Sequence, residues 1–119
     1  MELKAFVSDV YNSIDSANAT KFASFISQNG IFRFANMPAV KGNKAIEEFV
    51  DGFFKSLKGI SHSSLASWSV GNMIFVNGVV KYLRHSDTSL EVPFSCTWKM
   101  NGNLIDEYLI FIDNSELYK

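Results

Sequence analysis

The chain has 119 residues, with 11 Lys and Arg against 12 Asp and Glu and a formal net charge of −1. This length suits one domain over residues 1–119, and a composition 47% apolar and 19% charged excludes a disordered chain. Near-neutral charge without a basic run argues against nucleic acid or an anionic membrane surface as a partner. The lone cysteine, Cys96, allows neither an intrachain disulfide nor a cysteine-rich zinc site. No run reaches the roughly 18 apolar residues of a membrane span. The start Met1-Glu2-Leu3-Lys4-Ala5-Phe6 is unlike a signal peptide, so the cytoplasm is the expected location.

Leu3, Phe6, Val7, Val10, Tyr11 and Ile14 recur at helical spacing and predict an amphipathic helix over about residues 2–15. Asn18 is placed to cap a short second helix carrying Phe22, Phe25 and Ile26, which Asn29-Gly30 would stop. Ile31–Phe34 reads as a strand, and Met37-Pro38 with Lys41-Gly42 as a loop. Asn43 opens the longest helix, whose Ile46, Phe49, Val50, Phe53, Phe54 and Leu57 share a face before Gly59 ends it. Gly52 inside that helix costs about 1 kcal/mol against alanine, which suggests a close packing contact.

After residue 60 the period becomes two. Leu90, Val92, Phe94, Cys96, Trp98 and Met100 alternate with mostly polar neighbours and define the clearest strand. Pro93 within it has no N–H to give, so a bulge or an unpaired position is expected there. Asn77-Gly78 and Asn101-Gly102 read as hairpin turns, giving strands near 62–76, 79–85, 89–100 and 104–112. Helices first and strands last make an α+β fold.

Three segments in this order resemble the nuclear transport factor 2-like superfamily, which includes SnoaL-like polyketide cyclases and ketosteroid isomerases. They are the helix end Ile14-Asp15-Ser16-Ala17-Asn18, the helix start Lys41-Gly42-Asn43-Lys44-Ala45-Ile46-Glu47-Glu48-Phe49, and the final strand Ile105–Asp113. The resemblance implies a cone: a curved antiparallel sheet wrapped around the N-terminal helices, with a small apolar molecule held in its open end. It does not carry over the isomerase chemistry. Where those enzymes have an Asp base this chain has Phe34-Ala35-Asn36, their oxyanion-holding Tyr falls at Val10 with Tyr11 one residue off, and their second donor falls at Cys96.

A three-residue loop at Asn101-Gly102-Asn103 would set Trp98 opposite Asp106, Cys96 opposite Tyr108 and Phe94 opposite Ile110, all facing the interior. Asp106 is then the catalytic candidate, because partial desolvation suits a carboxyl to proton transfer. A two-residue turn would reverse its face and leave it at the rim. Tyr11, Phe34, Phe94, Cys96, Trp98 and Tyr108 are the candidate ligand-binding residues, against the alternative that such aromatics simply fill a core. His62 is either a pocket acid or base or an exposed strand-end residue, and the second is the expectation. His85 reads as a solvated turn residue. The two histidines supply no metal-ligand set, and no cofactor is expected. Cys96 is expected to be a buried apolar residue, with no histidine placed to activate it.

Leu109 and Phe111 make the last strand apolar on its outer face as well, which calls for a cover; a homodimer through that face is expected. The leading expectation is a protein that binds a small apolar molecule, with isomerase, cyclase or hydratase chemistry through Asp106. The rival is a non-catalytic ligand-binding or dimerisation module, and a third reading is a protein-docking domain.

Overall fold

The structure, a computed structural model, describes residues 2–118. Helix α1 (Leu3–Asp15) starts where the Glu2 carboxylate accepts from the free N–H groups of Lys4 and Ala5. It buries the expected stripe of Phe6, Val7, Val10, Tyr11 and Ile14. Asn18 does cap α2 (Ala19–Ala23), accepting from the Lys21 N–H at 3.0 Å.

That helix is shorter than its sequence suggests. Ile26 already belongs to strand β1 (Ile26–Phe34), and Asn29-Gly30 lies inside this strand rather than stopping a helix. The pairing of β1 shifts between Ile26 and Ile31, and a Cβ on Gly30 would stand 2.5 Å from Ile26 Cγ2 and 3.1 Å from the Ser27 carbonyl oxygen. Glycine is there because the kinked strand folds back on itself at that residue. Val40–Lys41, read as loop, pairs with β1 as a two-residue strand, β2.

Helix α3 (Asn43–Lys55) follows Gly42 and buries Ile46, Val50 and Phe54. Gly52 meets no close neighbour: a Cβ built there would find no atom within 4 Å, contrary to the packing contact its cost suggested.

Strands β3 (Gly59–Val70), β4 (Met73–Leu83), β5 (Ser89–Asn101) and β6 (Leu104–Ile112) form an antiparallel meander, and β1 joins β6 in parallel. The strand order β2-β1-β6-β5-β4-β3 makes one unclosed six-stranded sheet. The first hairpin turns at Gly71-Asn72, with Gly71 at φ +58°, and Asn77-Gly78 lies in mid-strand. The glycine is explained by packing rather than by turning. A Cβ on Gly78 would sit 2.8 Å from Leu65 Cδ2 and 2.9 Å from Phe94 Cε1, across from a bulge in β3 whose Ser64 has φ +55°.

Pro93 causes no bulge. It pairs with Val79 in an unbroken ladder, and β6 ends opposite Phe94, so Pro93 has a strand on one side only. Bulges in β3 and between β5 and β6 sharpen the sheet's curvature. The concave face closes over α1, α2 and α3, with Trp98, Tyr108, Phe22, Val10 and Ile46 deepest in the core.

Candidate functional site

Inward residues of the sheet and the inner faces of the helices surround an interior cavity of about 50 Å³. Its wall is almost wholly apolar, built from Phe22, Phe32 and Phe34 on one side and Phe49, Phe53 and Phe54 of α3 on another. Four polar side chains reach it: Tyr11, His62, Cys96 and Tyr108.

Three of these four satisfy or neutralise one another. The Tyr11 hydroxyl donates to Cys96 Sγ at 3.4 Å. Burial pushes the Cys96 thiol up to about 12, so it stays protonated and inert as a nucleophile. Burial, followed by the neighbouring Cys96, holds Tyr108 well above the usual phenol range, and burial followed by Tyr108 does the same for Tyr11.

His62 is different. It lies near the start of β3, where period-two alternation turns Ile60 and His62 inward opposite Tyr82 and Val80 of β4. β3 is an edge strand, and Asp15, the last residue of α1, reaches across to that edge. The His62 backbone N–H donates to Asp15 Oδ2 at 3.0 Å, and the ring Nδ1 lies 2.5 Å from Asp15 Oδ1. A carboxylate only accepts, so the proton of the neutral ring sits on Nδ1 and the lone pair on Nε2. The imidazole packs 4.7 Å from the Tyr11 ring and edge-on to Phe94 at 5.3 Å, and only 8% of the side chain is exposed. Nε2 has no hydrogen-bond partner among the described residues. An oriented base on an apolar wall is suited to taking a proton from a bound molecule and giving it back.

The other candidates fall differently. Tyr11, Phe34, Phe94, Cys96 and Tyr108 line the cavity; Trp98 does not. It is fully buried behind the wall, stacked on Tyr11 at 5.9 Å and close to Tyr108 at 5.2 Å.

Asp106 is displaced by the register. The last hairpin has a two-residue turn, Gly102-Asn103, pairing Asn101 with Leu104. A bulge then leaves Asp106 unpaired between Ile105 and Glu107, so that Trp98 faces Tyr108, Cys96 faces Ile110 and Phe94 faces Ile112. Each of those three partners lies two residues beyond the expected one. The carboxylate of Asp106 is hydrogen-bonded by the Ser27 hydroxyl, which also lies 2.9 Å from the Ile105 carbonyl oxygen. Asp106 therefore pins the irregular junction of β1 and β6, away from the cavity wall.

His85 is exposed as expected, its Nε2 3.0 Å from the Lys55 carbonyl oxygen at the end of α3. Among the described residues no three His, Cys, Asp or Glu side chains cluster in a way that could hold a metal ion, and no helix is long and apolar enough to cross a membrane.

The pairing of His62 with Asp15 was not legible in the sequence. The two residues are 47 positions apart, and no spacing rule links a helix end to a strand start. The one available signal was the alternation that turns His62 to the same side as Ile60.

No family model and no curated protein matches this chain in sequence. Solved structures match it in shape. A proposed polyketide cyclase from Xanthomonas campestris pv. campestris superimposes with a TM-score of 0.85 at 11% identity, covering 96% of this chain and 92% of that one. A proposed SnoaL-like polyketide cyclase from Jannaschia sp. CCS1 gives 0.82 at 13% identity, covering 96% and 87%. A protein with a ketosteroid isomerase-like fold from Catenulispora acidiphila DSM 44928, in complex with trimethylamine, gives 0.83 at 12% identity, covering 89% and 83%. A six-stranded curved sheet closing over N-terminal helices, shared over nearly the whole chain with these proteins, shows that it has the nuclear transport factor 2-like, SnoaL-like fold.

Proposed function

We propose that the chain binds a small, largely apolar molecule in its interior cavity and moves a proton on it, with His62 as the acid-base group and Asp15 as the residue that orients it. The observation that carries this reading is a single imidazole, held through Nδ1 by Asp15, among lining residues otherwise made of hydrocarbon and bonded hydroxyl and thiol groups. Isomerisation, aldol-type cyclisation and dehydration each begin with one proton removed beside a carbonyl, and that proton is then returned to a new carbon, to the alkoxide formed on ring closure, or to the departing hydroxyl, which leaves as water. In each, Nε2 takes that proton and the Asp15 carboxylate stabilises the imidazolium that forms. A positioned base of this kind contributes about 10²–10⁴-fold.

The test uses 2-tetralone, a flat ketone with acidic C–H groups, in deuterated buffer with exchange followed by NMR. Wild-type protein is expected to accelerate exchange, and His62→Gln to lose at least about 100-fold of that acceleration. Binding of the ketone without accelerated exchange would favour the non-catalytic ligand-binding module. The small cavity is an observation on the side of a dimerisation module instead: its roughly 50 Å³ is well below the roughly 150 Å³ of an apolar cavity known to hold benzene.

A homodimer through the outer sheet face belongs to the same proposal. Trp68 and Phe75 lie side by side there, followed across the sheet by Thr97 and Leu109, with Phe111 beside them. Trp68 is 51% and Phe111 55% exposed. Charged Arg33, Lys99 and Glu107 lie towards the margins of this apolar field, the arrangement of an interface core and rim. Light scattering after size exclusion is expected to give a dimer at micromolar concentration and a monomer for Trp68→Glu; a monomeric wild type refutes it. A lone buried thiol suits the reducing cytoplasm in which we place the chain.

A further inference from the structure

A groove of about 290 Å³ lies on the surface between α3 and the segment that follows β6, and it shares three lining residues with the interior cavity: Phe34, Phe49 and Phe53. Three phenyl rings are thus common to the walls of the two spaces. Phe49 and Phe53 stand one helical turn apart on α3, and both are only half-buried. Phe53 is held by ring contacts, with Phe34 at 5.1 Å, Tyr82 at 6.0 Å and Phe54 at 6.4 Å. A phenyl ring has no hydrogen bond to fix its rotamer, so only these contacts hold Phe53 where it is.

Gly52 is the second, independent observation. Glycine in a helix interior weakens the helix, and here no packing contact requires it, because a Cβ would meet nothing within 4 Å. The open space beside it is the groove, which Gly52 lines. What glycine does at this position is keep the groove clear.

We infer that the groove is the outer half of the ligand site, and that Phe53 swings aside to join it to the interior. The joined space reaches the range of small-molecule pockets, about 300–1,000 Å³. Its chemistry selects a flat, largely apolar molecule of about two rings. Phenyl walls take the body, Nε2 of His62 accepts from a weakly acidic hydroxyl at the inner end, and Ser56, Asn114 and Tyr118 offer polar groups at the outer end. The hydroxyl assignment rests on the proposed role of His62; the shared phenyl wall and the groove do not.

The probe is 2-naphthol, fluorescent and too large for the roughly 50 Å³ inner cavity alone, titrated at equilibrium and mixed by stopped flow. Phe53→Ala is expected to raise its association rate at least tenfold, with Phe53→Leu intermediate. Gly52→Leu is expected to weaken binding at least tenfold while raising the melting temperature, which separates a filled groove from a damaged fold. His62→Gln is expected to weaken binding three- to tenfold. Wild-type affinity and rates in the Gly52 and Phe53 variants, with loss only in His62→Gln, overturn the joined site and leave the acid-base reading standing. Loss in Gly52→Leu with wild-type binding in His62→Gln supports the groove and overturns the role of His62. No binding to wild type or to Phe53→Ala overturns both.

Discussion

Replacing Asp15 with asparagine keeps the shape of the His62 pair and inverts its hydrogens. The carbonyl oxygen of the new amide can still accept from the His62 backbone N–H, where the carboxylate now does so at 3.0 Å. The amide nitrogen must then donate to Nδ1, which moves the ring proton to Nε2 and removes its lone pair. Hydrogen bonds to a charged group contribute about 1.5–3 kcal/mol and neutral ones about 0.5–1.5. Two bonds are weakened, but the Asp15 side chain is 29% exposed and partly screened, so the net loss should be about 1 kcal/mol. For a chain of this size that lowers the melting temperature by about 3–5 °C. Asp15→Ala leaves both donors without a partner and should cost about 2–3 kcal/mol. Long-range ¹⁵N–¹H correlation of the imidazole, followed across a pH series to its neutral form, should show a protonated Nδ1 in the wild type and a protonated Nε2 in Asp15→Asn. A variant that keeps its proton on Nδ1, or melts with the wild type, refutes the account of the pair.

Alkaline conditions should destabilise the fold in two stages. The Cys96 thiol is raised to about 12 in the folded state against about 8.5 for a free thiol, so its stabilising effect is complete below about 8.5 and is lost as pH climbs towards 12. The buried Tyr11 and Tyr108 add to the loss above about pH 10, and the slope of unfolding free energy against pH should flatten between about 8.5 and 10 in Cys96→Ala. Thiol labelling at about pH 8 should track global unfolding rather than native exposure, because little thiolate exists while the core is closed; rapid labelling of the native protein would contradict this. Gly30→Ala should lose about 1–3 kcal/mol, seen as a lower denaturant midpoint with unchanged m-value, because the buried Ile26 and two carbonyl oxygens cannot retreat from the new methyl group. Gly52→Ala should stabilise by about 0.5–1 kcal/mol, since the helix gains and nothing is displaced; a lower midpoint would show a contact that the open space beside it denies.

Local patterns in the chain determined the helices α1 and α3, the cap at Asn18, the long strand through Trp98 and the α+β order, because each depends on neighbours three, four or two residues apart. Five of the aromatic, hydroxyl and thiol residues expected to line the interior do so, since an inward position follows from helical spacing for Tyr11 and from strand alternation for Phe34, Phe94, Cys96 and Tyr108. Tertiary structure decided what spacing cannot encode. Asn77-Gly78 has the composition of a turn, yet Leu65 and Phe94 fill the space of its missing side chain, and those contacts come from distant parts of the chain. Asp106 lost its place on the cavity because one bulge and a shorter turn moved every pairing beyond it, and register is a property of two strands together. His62 gained its orientation from a carboxylate 47 residues earlier, at the point where the end of a helix meets the open edge of a sheet.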